Sequence, residues 1–146
     1  MFHVKHINNK MYEILLKLSE KSSKNGDIPV SSIIVLNKKI IGKGYNNRHK
    51  KKNVLGHAEI NAIKDATTNL GDWRLNGCDL YVTLEPCDMC IEVIKESRID
   101  NIYFLLENKD KHKYNRTNKC TLAYDESVVN NYKEKLSNFF DKNLNR

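Results

Sequence analysis

Two short stretches carry residue types and spacings that can do chemistry. Leu84–Cys90 reads LEPCDMC, and upstream of it Gly56–Ile63 reads GHAEINAI. If Pro86 opens a helix, Cys87 and Cys90 fall in its first turn on one face. The helix dipole there favours the thiolate, which is the form that binds metal. A redox Cys-x-x-Cys is one reading, but it belongs with a thioredoxin-like order of elements that this chain does not match. A four-cysteine zinc site is a second; it needs Cys78 and Cys120, and neither has a neighbour at ligand spacing. Those two cysteines read as small buried hydrophobes. A third reading takes His57 with Cys87 and Cys90. One imidazole and two thiolates give zinc three protein ligands, balance its charge and leave the fourth tetrahedral position to water, as catalytic zinc sites do. Zinc lowers the pKa of such a water and makes a nucleophile at neutral pH. Glu59 is then not a ligand but a carboxylate beside the metal, suited to move the water's proton to the substrate. His3, His6, His49 and His112 lie in polar or terminal segments and read as surface residues.

The elements that must position these residues follow from periodicity. Met11, Ile14, Leu15 and Leu18 recur at helical spacing, which predicts a helix over Asn9–Lys24, capped by Asn8 or Asn9 and stopped by Gly26. Ser32–Leu36 and Lys39–Lys43 read as a hairpin about Asn37-Lys38, with Gly42 and Gly44 breaking the pattern. A second helix is expected over His57–Leu70, with Gly71 as its stop. Leu80–Leu84 is a strand, a helix runs from Pro86 to about Ser97, and Asn101–Leu106 is a strand. Residues 107–118 read as a loop and Lys119–Tyr124 as a short strand. A last helix starts at Asp125 or Ser127, with Val129, Tyr132, Leu136, Phe139, Phe140 and Asn143 along one stripe. Strands alternating with helices in the second half imply parallel pairing through helical crossovers. No repeat or linker divides the chain, so residues 1–146 are expected to form a single domain.

The 146 residues carry a net charge of +7, spread unevenly. Residues 1–56 hold 12 Lys or Arg against 3 Asp or Glu, whereas residues 57–106 hold 4 against 9. The basic residues therefore lie outside the segment with the chemistry. Two runs are dense: Arg48–Lys52 (RHKKK) and Lys109–Lys119. They read either as a phosphate-binding surface, whose affinity comes from counterion release, or as solvated loops. The longest apolar run, Ile33–Leu36, is far too short to span a bilayer, and the N-terminus lacks the apolar region of a signal peptide. The expected setting is the cytoplasm, with no membrane partner.

The pattern H-x-E with P-C-x-x-C is that of the zinc-dependent nucleobase deaminases. The strings GDIPVSSIIV, GYNN, GHAEINAI, DWRLNGCDLYVTLEPCDMC, SRI and LSNFF, in that order, resemble the bacterial tRNA-specific adenosine deaminase family within the cytidine/deoxycytidylate deaminase superfamily. The resemblance implies an α/β fold of the cytidine-deaminase kind, three-layer α/β/α, with a mixed five-stranded sheet flanked by helices. It implies a homodimer with one zinc ion per subunit, and conversion of the wobble adenosine in a tRNA anticodon stem-loop to inosine. Residue by residue, it implies that His57, Cys87 and Cys90 ligate zinc and that Glu59 shuttles the proton. It implies that Asn46 hydrogen-bonds the target base, that the Ala58 backbone amide approaches that base, and that Pro29, Val30, Leu84, Glu85 and Pro86 wall the pocket. It places Phe139-Phe140 near the anticodon loop, where splayed bases stack on aromatic rings; the helical stripe also demands a core role for one of the two rings. Alongside the resemblance, Lys50, Lys51 and Lys52 read as phosphate contacts. The chain departs from the family at Ser31-Ser32, where a Gly-Ala pair is usual, and at Ile91-Glu92-Val93, where small residues are usual. The alternative function is zinc-dependent deamination of a free base, nucleoside or nucleotide such as cytosine, guanine or deoxycytidylate. The run Trp73–Cys90 and the terminal LSNFF argue against it. A third possibility, a non-catalytic RNA-binding subunit, is expected to have lost the glutamate that this chain keeps as Glu59.

Overall fold

The structure is a computed structural model that describes residues 8–108, 119–121 and 126–144. The basic run over 109–118, the histidines His3, His6 and His112, and the expected helix start at Asp125 lie outside the described residues, as does the end of the expected strand at Tyr124. Helix α1 spans Asn9–Lys24, and the Asn8 side chain caps it by accepting the Met11 N–H at 2.8 Å. Tyr12, Leu15 and Leu18 face inward from it. The hairpin follows as β1 (Ser31–Leu36) and β2 (Lys39–Tyr45), joined through Asn37 and Lys38, both in the left-handed region. Next come α2 (Arg48–Lys51), α3 (Ala58–Leu70), β3 (Asp79–Leu84), α4 (Asp88–Glu96) and β4 (Asn101–Leu106). The edge strand β5 (Lys119–Thr121) and the helix α5 (Glu126–Leu144) complete the order.

The strands lie in the order β2-β1-β3-β4-β5. β1 is antiparallel to β2 and β3, while β3–β4 and β4–β5 are parallel, so the sheet is mixed and the expected parallel half is present. Helices cover both faces. On one, residues of α3 and α4 such as Ala62, Ala66, Ile91 and Ile94 pack against Ile34, Leu80, Val82, Ile102 and Phe104. On the other, Tyr12, Leu15 and Leu18 pack against Ile33, Tyr81 and Tyr103, whose two tyrosine rings stack at 5.0 Å. Among the described residues, no helix is long and apolar enough to cross a membrane.

Beyond shifts of one residue at the starts of β1, α3 and β3, three differences from the expectation have a physical reason. Gly42 and Gly44 do not end β2, which runs to Tyr45. They lie directly beneath α3: a Cβ at Gly42 would meet the Ala62 carbonyl and the Ala66 side chain, and one at Gly44 would meet the Ala58 carbonyl and the Ala62 amide. The glycines mark a close backbone approach rather than a break. The run Arg48–Lys52, for which a phosphate-binding surface and solvated loops are both open from the sequence, forms the single turn α2 over Arg48–Lys51 with Lys52 in left-handed conformation after it. Finally, α4 begins at Asp88 and not at Pro86; Cys87 is the extended residue that precedes it. Pro86 is therefore part of the lead-in from β3, and only Cys90 of the two cysteines lies inside the helix.

The seam between β2 and α3 gives a direct test. Gly44→Ala should lower stability by roughly 1–3 kcal/mol, the usual cost of forcing a methyl group into a packed interior. Urea unfolding followed by circular dichroism measures this, and an unchanged midpoint would show that the two backbones are free to move apart.

Candidate metal centre and active site

The N-terminal ends of two helices meet beyond the end of the central strand β3. His57 precedes α3 with extended backbone, φ −97° and ψ 145°. Cys87 precedes α4 in the same way, φ −72° and ψ 172°. Strand β3 delivers Cys87 through Leu84-Glu85-Pro86, and the β2–α3 seam delivers His57. His57 Nδ1 lies 3.5 Å from Cys90 Sγ and 3.7 Å from Cys87 Sγ. The three donor atoms all lie within 4.8 Å of one another, and among the described residues this is the His/Cys/Asp/Glu cluster arranged to hold a metal ion. Zinc bonds of about 2.3 Å to sulfur and about 2.05 Å to nitrogen at a tetrahedral centre set a nitrogen–sulfur separation of about 3.5 Å. The donors therefore fit zinc in both identity and spacing. Cys78 is buried at the far end of β3 and takes no part, so a four-cysteine site does not form.

The electrostatics of the cluster fit a cation as well. The Cys87 thiol is pulled down to about 3, first by a hydrogen bond from the Cys90 thiol and also by His57. Cys90 is pushed up in turn, because it donates to the Cys87 sulfur and because it is buried. His57 is raised, mainly by its hydrogen bond with Cys87. The cluster thus retains protons that a divalent cation displaces when it recruits both sulfurs and the imidazole. Glu59 is only 3% exposed, and burial pushes its carboxyl up to about 7. It stands in the first turn of α3, within hydrogen-bonding reach of Cys90.

The remaining expected site residues divide. Val30, Ala58, Leu84, Cys87 and Cys90 pack together in one cluster. The Asn46 side-chain oxygen accepts the Ala58 backbone N–H at 2.8 Å, so that amide is engaged by Asn46 and the Asn46 NH₂ group is left as a donor. Glu85, buried, accepts the Asn108 backbone N–H at 3.2 Å and so ties the end of β4 to β3. Pro86 is buried beside it. Pro29 lines a separate groove of about 410 Å³ between α1 and α5, together with Phe139, Lys24 and Lys135. Phe139 and Phe140 meet edge to face at 5.6 Å, the first half-buried and the second exposed. Neither fills the core; Tyr132, fully buried, takes that role for α5, donating its hydroxyl to the Pro29 carbonyl at 2.7 Å. Lys50, Lys51 and Lys52 are exposed on the α2 turn.

A small cavity of about 70 Å³ opens beside His57 and Asn46, bounded also by Asp27, Ile28, Arg48 and His49. Asp27, Arg48 and His49 were not expected there. Asp27 sits in GDIPVSS next to the expected wall, but a lone aspartate after glycine carries no signal beyond turn chemistry. His49 reads from the sequence as a surface residue, and it is exposed.

Residues 5–106 match the family model for the cytidine and deoxycytidylate deaminase zinc-binding region. A tRNA-specific adenosine deaminase of Buchnera aphidicola is 36% identical over 136 residues, which cover 88% of this chain and 90% of that protein. The tRNA-specific adenosine deaminase of Bacillus subtilis is 38% identical over 89 residues, 61% of this chain, and the match spans little more than half of that relative, 55%. Among solved structures, one from studies of A-to-I editing by tRNA:A34 deaminases at the wobble position of transfer RNA superposes with a TM-score of 0.75 at 26% identity, covering 85% of this chain and 99% of that one.

The proton inventory of the cluster fixes the sign of a pH effect. Zinc must displace protons from Cys90 and His57, both held more tightly than usual, so its affinity should rise with pH from about 6 to about 8. Each proton released corresponds to about tenfold in affinity per pH unit. Competition against a chromophoric chelator measures the slope, and a flat profile would mean that the sulfurs and imidazole are not the ligands.

Proposed function

Because the chain belongs to the cytidine and deoxycytidylate deaminase zinc-binding family, we propose that it hydrolytically deaminates the wobble adenosine of a tRNA anticodon to inosine, as one catalytic domain spanning residues 1–146. One observation carries the choice of substrate: the near end-to-end match, at 36% identity, to a protein named tRNA-specific adenosine deaminase. His57, Cys87 and Cys90 would hold one zinc ion. Bound there, zinc supplies the Lewis acidity that makes water a nucleophile at neutral pH.

The chain's own residues do the rest. The reaction adds water across the C6–N1 bond of adenine and then breaks the C6–N6 bond to release ammonia, so one proton of the water must move to N1 and the other to the departing amine. Glu59 carries them. With its carboxyl near 7, it accepts and gives up a proton with little penalty at neutral pH, the condition for an efficient acid–base group. Asn46, fixed through its oxygen by the Ala58 N–H, offers its NH₂ group to an acceptor on the purine. Val30, Leu84 and Pro86 exclude water from the base, Pro29 shapes the approach, and Glu85 holds the rim by gripping Asn108. In an anticodon loop the target base is already unpaired, so turning it into the pocket costs little. Lys50, Lys51 and Lys52 meet backbone phosphates, and the exposed Phe140 with Phe139 offers a stacking surface to neighbouring bases. The active form is a homodimer in the cytoplasm, where its tRNA substrate is found. The departure at Ile91-Glu92-Val93 leaves the monomer intact, since Ile91 is buried in the core and Glu92 is exposed.

Two measurements test this reading. Incubation with an anticodon stem-loop should yield inosine by sequencing, whereas free adenosine, cytosine, guanine and deoxycytidylate should turn over negligibly; preferential turnover of a free base or nucleotide would assign the chain to the small-molecule deaminases. Glu59→Ala should keep zinc and fold but lose inosine formation by about 10²- to 10⁴-fold, the usual worth of a general acid–base group. Near-normal activity in that variant would remove Glu59 from the proton path.

A further inference from the structure

Asp27 is 1% exposed and lies between Gly26 and the wall residues that follow it. Its two carboxylate oxygens accept the backbone N–H groups of His49, at 2.7 Å, and Lys50, at 3.2 Å. These amides open α2, where helix geometry leaves them without intrahelical partners. The residue placed to cap them locally, Asn47, makes no side-chain cap. Its oxygen is used elsewhere, accepting from the Asn61 side chain at 3.0 Å. Asp27 thus does from a distant segment what an N-cap residue does locally. It also places a buried negative charge under a turn that carries Arg48, Lys50 and Lys51.

The rest of the loop is closed at its base. The Asn47 N–H donates to the Gly56 carbonyl at 2.9 Å, and a Cβ at Gly56 would lie 2.7 Å from the Arg48 amide nitrogen and Cα. His57 follows at once. The basic turn is therefore tied at its base next to the metal cluster, and Asp27 is the side chain that holds its leading edge. Asp27, Asn46 and His57 all border the same small cavity.

We infer that Asp27 is a positioning residue for the reaction: it fixes the Arg48–Lys52 turn at the mouth of the site, so that the lysines meet RNA phosphates while the target base is seated between Asn46 and His57. The inference rests on the RNA-deaminase reading above. Asp27 itself touches no substrate; it acts through the turn, and its loss should be felt in substrate capture rather than in the chemical step.

A double-mutant cycle on the zinc-loaded full-length protein tests this, with steady-state kinetics on an anticodon stem-loop. The forms compared are wild type, Asp27→Asn, the triple variant Lys50→Ala/Lys51→Ala/Lys52→Ala, and the combination. Asp27→Asn keeps the shape but removes the charge and sets an amide against one of the two backbone donors. It should raise KM about tenfold, the scale of disordering a few phosphate contacts, with kcat within about twofold of wild type. The triple variant should raise KM at least as much and flatten its salt dependence, and the combination should be no worse than the triple. A wild-type KM in Asp27→Asn, a fall in kcat at unchanged KM, or a KM penalty that multiplies with that of the triple would each overturn the inference. A triple variant with wild-type KM would remove the phosphate role of the lysines and the inference with it; a raised KM in the triple with multiplying penalties removes the Asp27 inference alone. If Asp27→Asn does not fold, Asp27→Ser enters the same cycle with the same expected pattern.

Discussion

The backbone of α3 runs against the backbone of β2 with no side chain between them. Gly42 and Gly44 on the strand face Ala58, Ala62 and Ala66, one residue per turn along the helix. This contact sets where the helix begins as well as how close it lies. Because the seam reaches Ala58, the residue before it, His57, is brought to the end of the central strand β3, where Cys87 emerges. The three donors come from two helix starts, Cys87 and Cys90 from α4 and His57 from α3. Their 3.5–3.7 Å separations therefore depend on how α3 and α4 are each seated on the sheet. A methyl group in the seam would push His57 away from both sulfurs at once. Small residues here are not a weakness of the core but the means by which one metal site is assembled from remote parts of the chain.

The same seating explains the charge layout. Glu59, in the first turn of α3, is carried inward by the close approach and loses its water, which raises its carboxyl into the neutral range. A buried carboxyl is tolerable because it can be neutral, and the ability to be neutral or charged near pH 7 is what proton transfer requires. The cations are kept outside. The turn α2 projects Arg48, Lys50 and Lys51 into solvent, and the charge that offsets them underneath is Asp27, reached from the other side of the hairpin. The cationic side chains thus lie on the exposed turn, outside the buried site.

Much of the chemistry was legible in the sequence because it is written in short-range patterns. H-x-E and P-C-x-x-C each place their residues within one helical turn, and the pairing of the two patterns is specific enough to identify the donor set. The long elements were legible too, from apolar periodicity in α1, α3, β3 and β4. What was not legible depended on contacts between segments. Gly42 and Gly44 read as breakers, because nothing local says that a helix lies across them. The helix start was placed at Pro86 because proline favours a first turn, whereas the chain uses Pro86 to finish the strand and gives the lead position to Cys87. Asp27 could not be read at all: its partners are amides of residues 49 and 50, and no pattern in GDIPVSS announces a cap for a turn on the far side of a hairpin.

The last helix shows the same limit and adds a constraint. The stripe on α5 suggested that one phenylalanine of the pair at 139 and 140 would serve the core, yet Tyr132 does so, and its hydroxyl closes on the Pro29 carbonyl. A tyrosine can be fully buried here because its hydroxyl is satisfied, donating to that carbonyl with Thr83 also within hydrogen-bonding reach. The bond joins α5 to the segment Asp27–Val30, which already carries the anchor of the basic turn and part of the pocket wall. Relieved of packing duty, Phe139 and Phe140 remain at the rim, half-buried and exposed, beside a groove lined by lysines. One short segment, residues 27–30, is therefore the common support of the cationic turn on one side and the aromatic helix end on the other, so the geometry of any RNA grip formed by the two is fixed by the same backbone that borders the pocket.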